Sequence, residues 1–67
     1  MEFELTSEYI ELNKLLKLLG WVESGGVANM VITEGLVFVN GEVDTRKRKK
    51  LRTGEVVEFN EQKVTVK

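Results

Sequence analysis

Hydrophobic and polar positions change their period along this chain, and each change marks an element. From Met1 to Leu5, Phe3 and Leu5 alternate with Glu2 and Glu4, the two-residue period of a half-buried strand or extended arm. From Ile10 the period lengthens. Leu12, Leu15, Leu16 and Leu19 follow i, i+3, i+4, i+7 spacing, which predicts one stripe of a short helix. Lys14 and Lys17 fall off that stripe and face solvent. Gly20 follows the last periodic residue, where a left-handed helix terminus favours glycine. Ser24 then opens a second helix, because its hydroxyl can accept from an unpaired amide one turn on. Val27, Ala28, Val31 and Ile32 form its inner face, and Gly35 is the natural stop.

After Gly35 the chain reads as β. Val37 and Val39 alternate with Leu36 and Phe38, and Asn40-Gly41 supplies the type I′ turn of a tight hairpin. Glu42 to Thr45 is the expected return strand. The stretch from Arg46 to Arg52 follows as a loop or irregular extended piece, with a turn at Thr53-Gly54. A strand over Glu55 to Phe59, a turn at Asn60 to Gln62 and a last strand over Lys63 to Lys67 complete the chain. The expected architecture is α+β: two short helices packed on a small antiparallel sheet of three to five strands.

Sixty-seven residues fit one small domain, and an apolar share of 42% with 31% charged residues is a foldable balance. With neither Cys nor His, the chain lacks a thiolate, the usual general base and the commonest metal ligand. Its single Asp leaves no Asp-rich loop for Ca²⁺ or Mg²⁺. Glu2, Glu4, Glu8 and Glu11 lie on a segment that reads as a solubilising face, not as a carboxylate pair with separated pKa values. Neither an enzyme nor a cofactor is expected. No eighteen-residue apolar run and no basic–apolar–small leader is found, so a cytoplasmic protein without a membrane partner is expected.

Net charge is −1, but the charge is unevenly placed. Arg46, Lys47, Arg48, Lys49, Lys50 and Arg52 fall within seven consecutive residues, and no acid lies between Asp44 and Glu55. If this stretch is extended, Leu51 is the inward anchor, Lys47 and Lys49 share its side, and Arg46, Arg48, Lys50 and Arg52 project as a cationic row. Cations this dense repel one another unless an anion joins them, and a polyphosphate backbone suits that role. The competing readings are a solvated loop, or pairing with Glu55 and Glu58. Ser24-Gly25-Gly26 is a weaker element. Taken alone it reads first as simple capping in a tight inter-helix turn, with a phosphate seat at the helix start as the second reading. Phe38 and Leu36 read as core beneath the terminal arm, with base stacking as the alternative for Phe38. Trp21 reads as a packing lid.

The pieces Leu12-Asn13-Lys14-Leu15-Leu16, Gly20, Ser24 with Ala28 and Ile32, Gly35, Val37-Phe38-Val39-Asn40-Gly41 and Thr53-Gly54-Glu55-Val56-Val57 occur in an order that resembles the S4, or αL-motif, RNA-binding domain. Tyr9-Ile10, Ser24-Gly25-Gly26 and Thr45-Arg46-Lys47-Arg48-Lys49-Lys50 resemble more particularly the small stand-alone S4-like proteins of the YbcJ and YaaA type. The resemblance implies a single domain over 1–67, with a motif core at 12–57, an arm at 1–11 and a C-terminal strand at 63–67. It also implies that the two helices and the adjoining hairpin loop form an RNA-binding face. Asn13, Ser24, Gly25 and Asn29 fall at positions of that face. Glu11, Asn13 and Gly25 depart from the usual basic, Asp and Arg residues, so the cationic load is expected to have moved to Arg46–Arg52. The expected function is non-enzymatic binding of structured RNA, ribosomal or transfer RNA, with Lys14 and Lys17 extending the footprint. The alternative is a module whose basic loop docks an acidic or ribosome-associated protein.

Overall fold

The computed structural model describes residues 1–67. Two strands, β1 (Glu2–Phe3) and β2 (Ile10–Glu11), precede the helices α1 (Leu12–Leu18) and α2 (Gly25–Thr33). They are followed by β3 (Val37–Val39), β4 (Glu42–Val43), β5 (Lys50–Leu51), β6 (Val56–Phe59) and β7 (Gln62–Val66).

Both helices stop where a glycine allows positive φ. Gly20 has φ 74° and Gly35 has φ 78°. In each case the residue after the glycine donates to the carbonyl five residues back: Trp21 N–H to Leu16 at 3.1 Å, and Leu36 N–H to Val31 at 3.1 Å. These bonds close the helix end by the Schellman pattern. The starts differ. Ser24 Oγ accepts from the Val27 N–H at 3.2 Å, so α2 has a side-chain cap. Glu11 precedes α1 in an extended conformation and gives it no side-chain cap. The first amides of α1 go instead to the basic segment: Leu12 N–H donates to the Lys49 carbonyl at 2.9 Å, and Asn13 N–H to the Lys47 carbonyl at 3.0 Å. This satisfies groups that a helix leaves unpaired at its N-terminus.

Five strands form one sheet in the order β1-β7-β6-β3-β4, and β2 and β5 form a separate two-stranded sheet. The β3–β4 hairpin turns at Asn40 and Gly41, whose φ values of 53° and 84° fit the expected type I′ geometry. A second tight turn, Asn60-Glu61, joins β6 to β7, with φ of 53° and 63°. One side of the sheet supplies Val37, Val39, Val57, Val64 and Val66 to the core. The helices supply Leu12, Leu15, Leu16, Ala28, Val31 and Ile32, and Leu51 completes the cluster.

Four expectations need correction. The main sheet is mixed, because β1 runs parallel to β7 with Glu2 opposite Thr65 and Phe3 opposite Val66. Alternation marks a strand but does not say which way its partner runs. The return strand ends at Val43, because Asp44 turns inward and becomes buried. The stretch Arg46–Arg52 is a loop that runs into β5, one of the two forms expected, and the alternating cationic row that full extension would give is broken: Lys47 and Arg48 form a turn closed by the Lys49 N–H and the Arg46 carbonyl at 3.2 Å. Phe38 and Leu36 are not core. They are 39% and 49% exposed, and Phe38 lies opposite exposed Val43 on the outer side of the sheet. The terminal arm reaches β7, two strands away from β3, and so leaves this pair uncovered. No helix is long and apolar enough to cross a membrane.

Candidate nucleic-acid interface

Leu51, fully buried, anchors the basic segment as its alternation predicts. It sits opposite Ile10, and this register sets Lys50 opposite Glu11 on the exposed side. Tyr9, one residue before β2, lies beneath two cations. Lys50 Nζ is 5.0 Å from its ring centroid and Arg52 Cζ is 5.7 Å away. Both distances are short enough for attraction between a cation and the electron-rich ring face. Arg52 also directs Nη1 toward the Glu8 carbonyl at 3.5 Å.

Two of the six cations are already paired. Asp44 Oδ1 accepts from the Arg46 amide and from its Nε, both at 3.0 Å, while Oδ2 accepts from Nη2 at 2.7 Å. These bonds hold the Asp44 carboxyl below its ordinary range despite burial, with the guanidinium as the largest influence. Lys49 Nζ meets Glu55 Oε1 at 3.2 Å, and their side chains are only 18% and 22% exposed. Burial pushes the Glu55 carboxyl up. The Arg52 N–H at 2.7 Å, the Lys49 ammonium and the Asn40 amide together outweigh that effect and lower it. Asn40 and Glu55 thus brace the hairpin against the basic segment. The pairing of Lys49 with Glu55 realises one of the competing sequence readings. Glu58 instead lies in β6 between Phe38 and Lys63 and forms no ion pair. Lys47, Arg48, Lys50 and Arg52 have no carboxylate within ion-pair distance.

The helix-borne positions divide. Asn13 Nδ2 donates to Asn29 Oδ1 at 3.0 Å, tying α1 to α2 beside the Lys47 carbonyl that caps α1. Lys17 follows Asn13 by one turn on the same helix face, and Gly25 precedes Asn29 by one turn on its own. Asn13, Lys17, Asn29, Gly25 and the Ser24 cap therefore share one edge of the helix pair, adjoining Lys47. Lys14 points elsewhere. With Leu18 it borders an open recess between α1 and the N-terminal arm, lined also by Phe3, Leu5 and Tyr9. Lys14, Lys50 and Arg52 thus cluster around Tyr9, on the other flank. Arg48 stands exposed at the turn between the two groups. No group of three or more His, Cys, Asp or Glu side chains is gathered to hold a metal ion.

Sequence reasoning gave Asn40 only the hairpin turn, and gave no part in the site to Tyr9 or Asp44. Asp44 carried a signal, being the last acid before the cationic run and two residues from Arg46, the spacing of an Asx turn. Tyr9 entered only through the family resemblance, because its contact with Lys50 and Arg52 depends on pairing between residues about forty positions apart.

The model of the S4 domain family matches residues 3–67, nearly the whole chain. The chain belongs to the S4-domain family. YbcJ of Escherichia coli (strain K12) is 53% identical over 51 residues, covering 76% of this chain and 73% of that protein. The "Probable ribosome maturation protein RlbA" of Bacillus subtilis (strain 168) is 43% identical over 55 residues, covering 82% of this chain and 78% of that protein. Among solved structures, the solution structure of E. coli YbcJ, described as revealing an αL motif involved in RNA-binding, superposes with a TM-score of 0.73. It shares 47% identity and covers 97% of this chain and 84% of the other. This S4 domain therefore has the two helices and adjoining hairpin expected of its family.

Proposed function

We propose that this S4 domain is a non-enzymatic RNA-binding protein of the cytoplasm that grips structured RNA, ribosomal or transfer RNA, chiefly through phosphates. One observation carries the reading. Lys47, Arg48, Lys50 and Arg52 lack carboxylate partners, yet they sit on a segment whose backbone is fixed to the start of α1. A rigid, uncompensated cationic surface matches a polyanion, because binding releases the counterions condensed on it. RNA duplexes are read mainly through shape, 2′-hydroxyls and phosphates, which suits a chain with few base-reading side chains here. In this reading Lys47, Arg48, Lys50 and Arg52 contact phosphates directly. Arg46 and Lys49 shape the segment through Asp44 and Glu55, and Lys14 and Lys17 extend the footprint. The edge formed by Asn13, Asn29 and the Ser24–Gly25 cap seats the backbone beside the helices. The RNA-binding motif described for E. coli YbcJ and the name of RlbA as a probable ribosome maturation protein support RNA and the ribosome as the setting.

The test is titration of fluorescently labelled ribosomal RNA hairpins at several salt concentrations. Saturable binding is expected, with a log–log salt slope between about −2 and −5 for roughly three to six phosphates. A flat salt response, or no saturable binding at low salt, overturns the proposal. Recovery from cells of a nuclease-resistant protein complex, with no RNA, replaces it with docking of an acidic or ribosome-associated protein through the same loop.

A further inference from the structure

The recess between the N-terminal arm and α1 is unaccounted for by phosphate contacts. It measures about 620 Å³, within the range of sites that hold small planar ligands, and its walls include Phe3, Leu5, Tyr9, Ile10 and Leu18. Leu18 is 65% exposed, a large apolar side chain that contributes little to the core. One cation lines the recess, and two more lie over its Tyr9 wall without lining it. Lys14 stands on the rim one turn before Leu18, and Tyr9 carries Lys50 and Arg52 over its ring. Glu11 also lines the recess, so an anion is disfavoured inside it while anions are favoured at the edge. A flat uncharged group attached to a phosphate fits that arrangement.

We propose that this recess receives the base of an unpaired nucleotide, a bulge or loop residue of the bound RNA, while its flanking phosphates rest on Lys14, Lys50 and Arg52. The inference rests on the RNA-binding reading and adds to it a preference for RNA with an extruded base. Tyr9 is the shared wall, joining the phosphate-contacting strand to the base-holding recess. Bases stack on aromatic side chains with little sequence preference, so the site selects an unpaired position and not a sequence.

The experiment compares three labelled RNA hairpins of equal charge per nucleotide: fully paired, carrying one unpaired nucleotide, and carrying an abasic residue at that position. The bulged hairpin is expected to bind on the order of tenfold more tightly than the paired one, and the abasic hairpin to lose that gain. Tyr9→Leu is expected to remove most of the preference and Tyr9→Phe to keep it. Leu18→Gln, at an exposed position, is expected to reduce it several-fold without altering the thermal unfolding midpoint. Equal affinity for the bulged and abasic hairpins, with salt-dependent binding of all three, overturns the base site and leaves the phosphate reading standing. Failure of every hairpin to bind overturns both.

Discussion

Lys49 and Lys50 are adjacent residues of the same chemistry, and the structure gives their removal opposite consequences. Lys49 is held against Glu55 with little exposure, whereas Lys50 lies over the exposed face of Tyr9 with no carboxylate partner. If Lys47, Arg48, Lys50 and Arg52 each neutralise one phosphate, the log–log salt slope is about −3.6, taking about 0.9 per phosphate. Raising salt from about 50 to about 200 mM then weakens binding about 150-fold. Lys50→Gln should bring the slope to about −2.7 and that loss to about 40-fold. Its stability cost should be near 0.5 kcal/mol, the typical value of an exposed cation–ring contact. Lys49→Gln should leave the slope close to −3.6 while costing about 1–2 kcal/mol, because Glu55 stays in a half-buried setting without its ammonium. Fluorescence anisotropy across a salt series gives the slopes, and urea unfolding followed at Trp21 gives the stabilities. Equal slope changes in the two variants would refute the division into paired and unpaired cations.

Other consequences test the frame that holds the segment. Leu51→Ala should cost about 2–5 kcal/mol, much of the ~3–10 kcal/mol expected of a domain this size, and should lower the urea midpoint accordingly. Asn40→Ala removes the acceptor for the Val56 N–H at 2.9 Å and forces alanine to a φ of 53°. A loss of about 1–3 kcal/mol is expected by the same assay, and Asn40→Gly should recover the backbone part of it. Asp44 and Glu55 titrate below their ordinary values of 3.8 and 4.5, so their contribution is complete above about pH 5.5. It declines as pH falls through 4.5 and 3.8 and is gone below their folded-state values. Urea midpoints measured from pH 6 to pH 3 should fall in the native chain and fall less in the Asp44→Asn, Glu55→Gln double variant. Asn13→Ala should cost about 1 kcal/mol by breaking the interhelix bond, visible as a lower thermal midpoint.

Much of the fold was legible because local chemistry decided it. Leu12, Leu15 and Leu16 could form only one face of a helix. Gly20 and Gly35 sit where positive φ closes a helix, and Asn40-Gly41 could hardly be other than a tight hairpin. The parallel seam between β1 and β7 was not legible, since side-chain alternation is the same for either partner direction. Nor was the start of α1, whose cap comes from backbone carbonyls of residues far along the chain and so leaves no signature in residue type. The candidate site was legible as a concentration of charge but not as a distribution of it. Lys49 and Lys50 look alike in sequence, and only the placement of Glu55 and Tyr9 separates them. Phe38 was misread because its alternation with Val37 and Val39 was given a covering arm that the chain sends to β7.

The two carbonyls that Lys47 and Lys49 lend to the start of α1 have a thermodynamic meaning. A loose basic tail would surrender about 1–2 kcal/mol of backbone entropy for each residue ordered on contact with its ligand. Here part of that ordering happens during folding, so a few charges can bind tightly without first being marshalled. The linkage also runs the other way: tugging this segment off its seat would unravel the first turn of a helix rooted in the hydrophobic interior. Hydrogen exchange at the Leu12 and Asn13 amides would therefore slow on ligand contact even if the ligand never touched them.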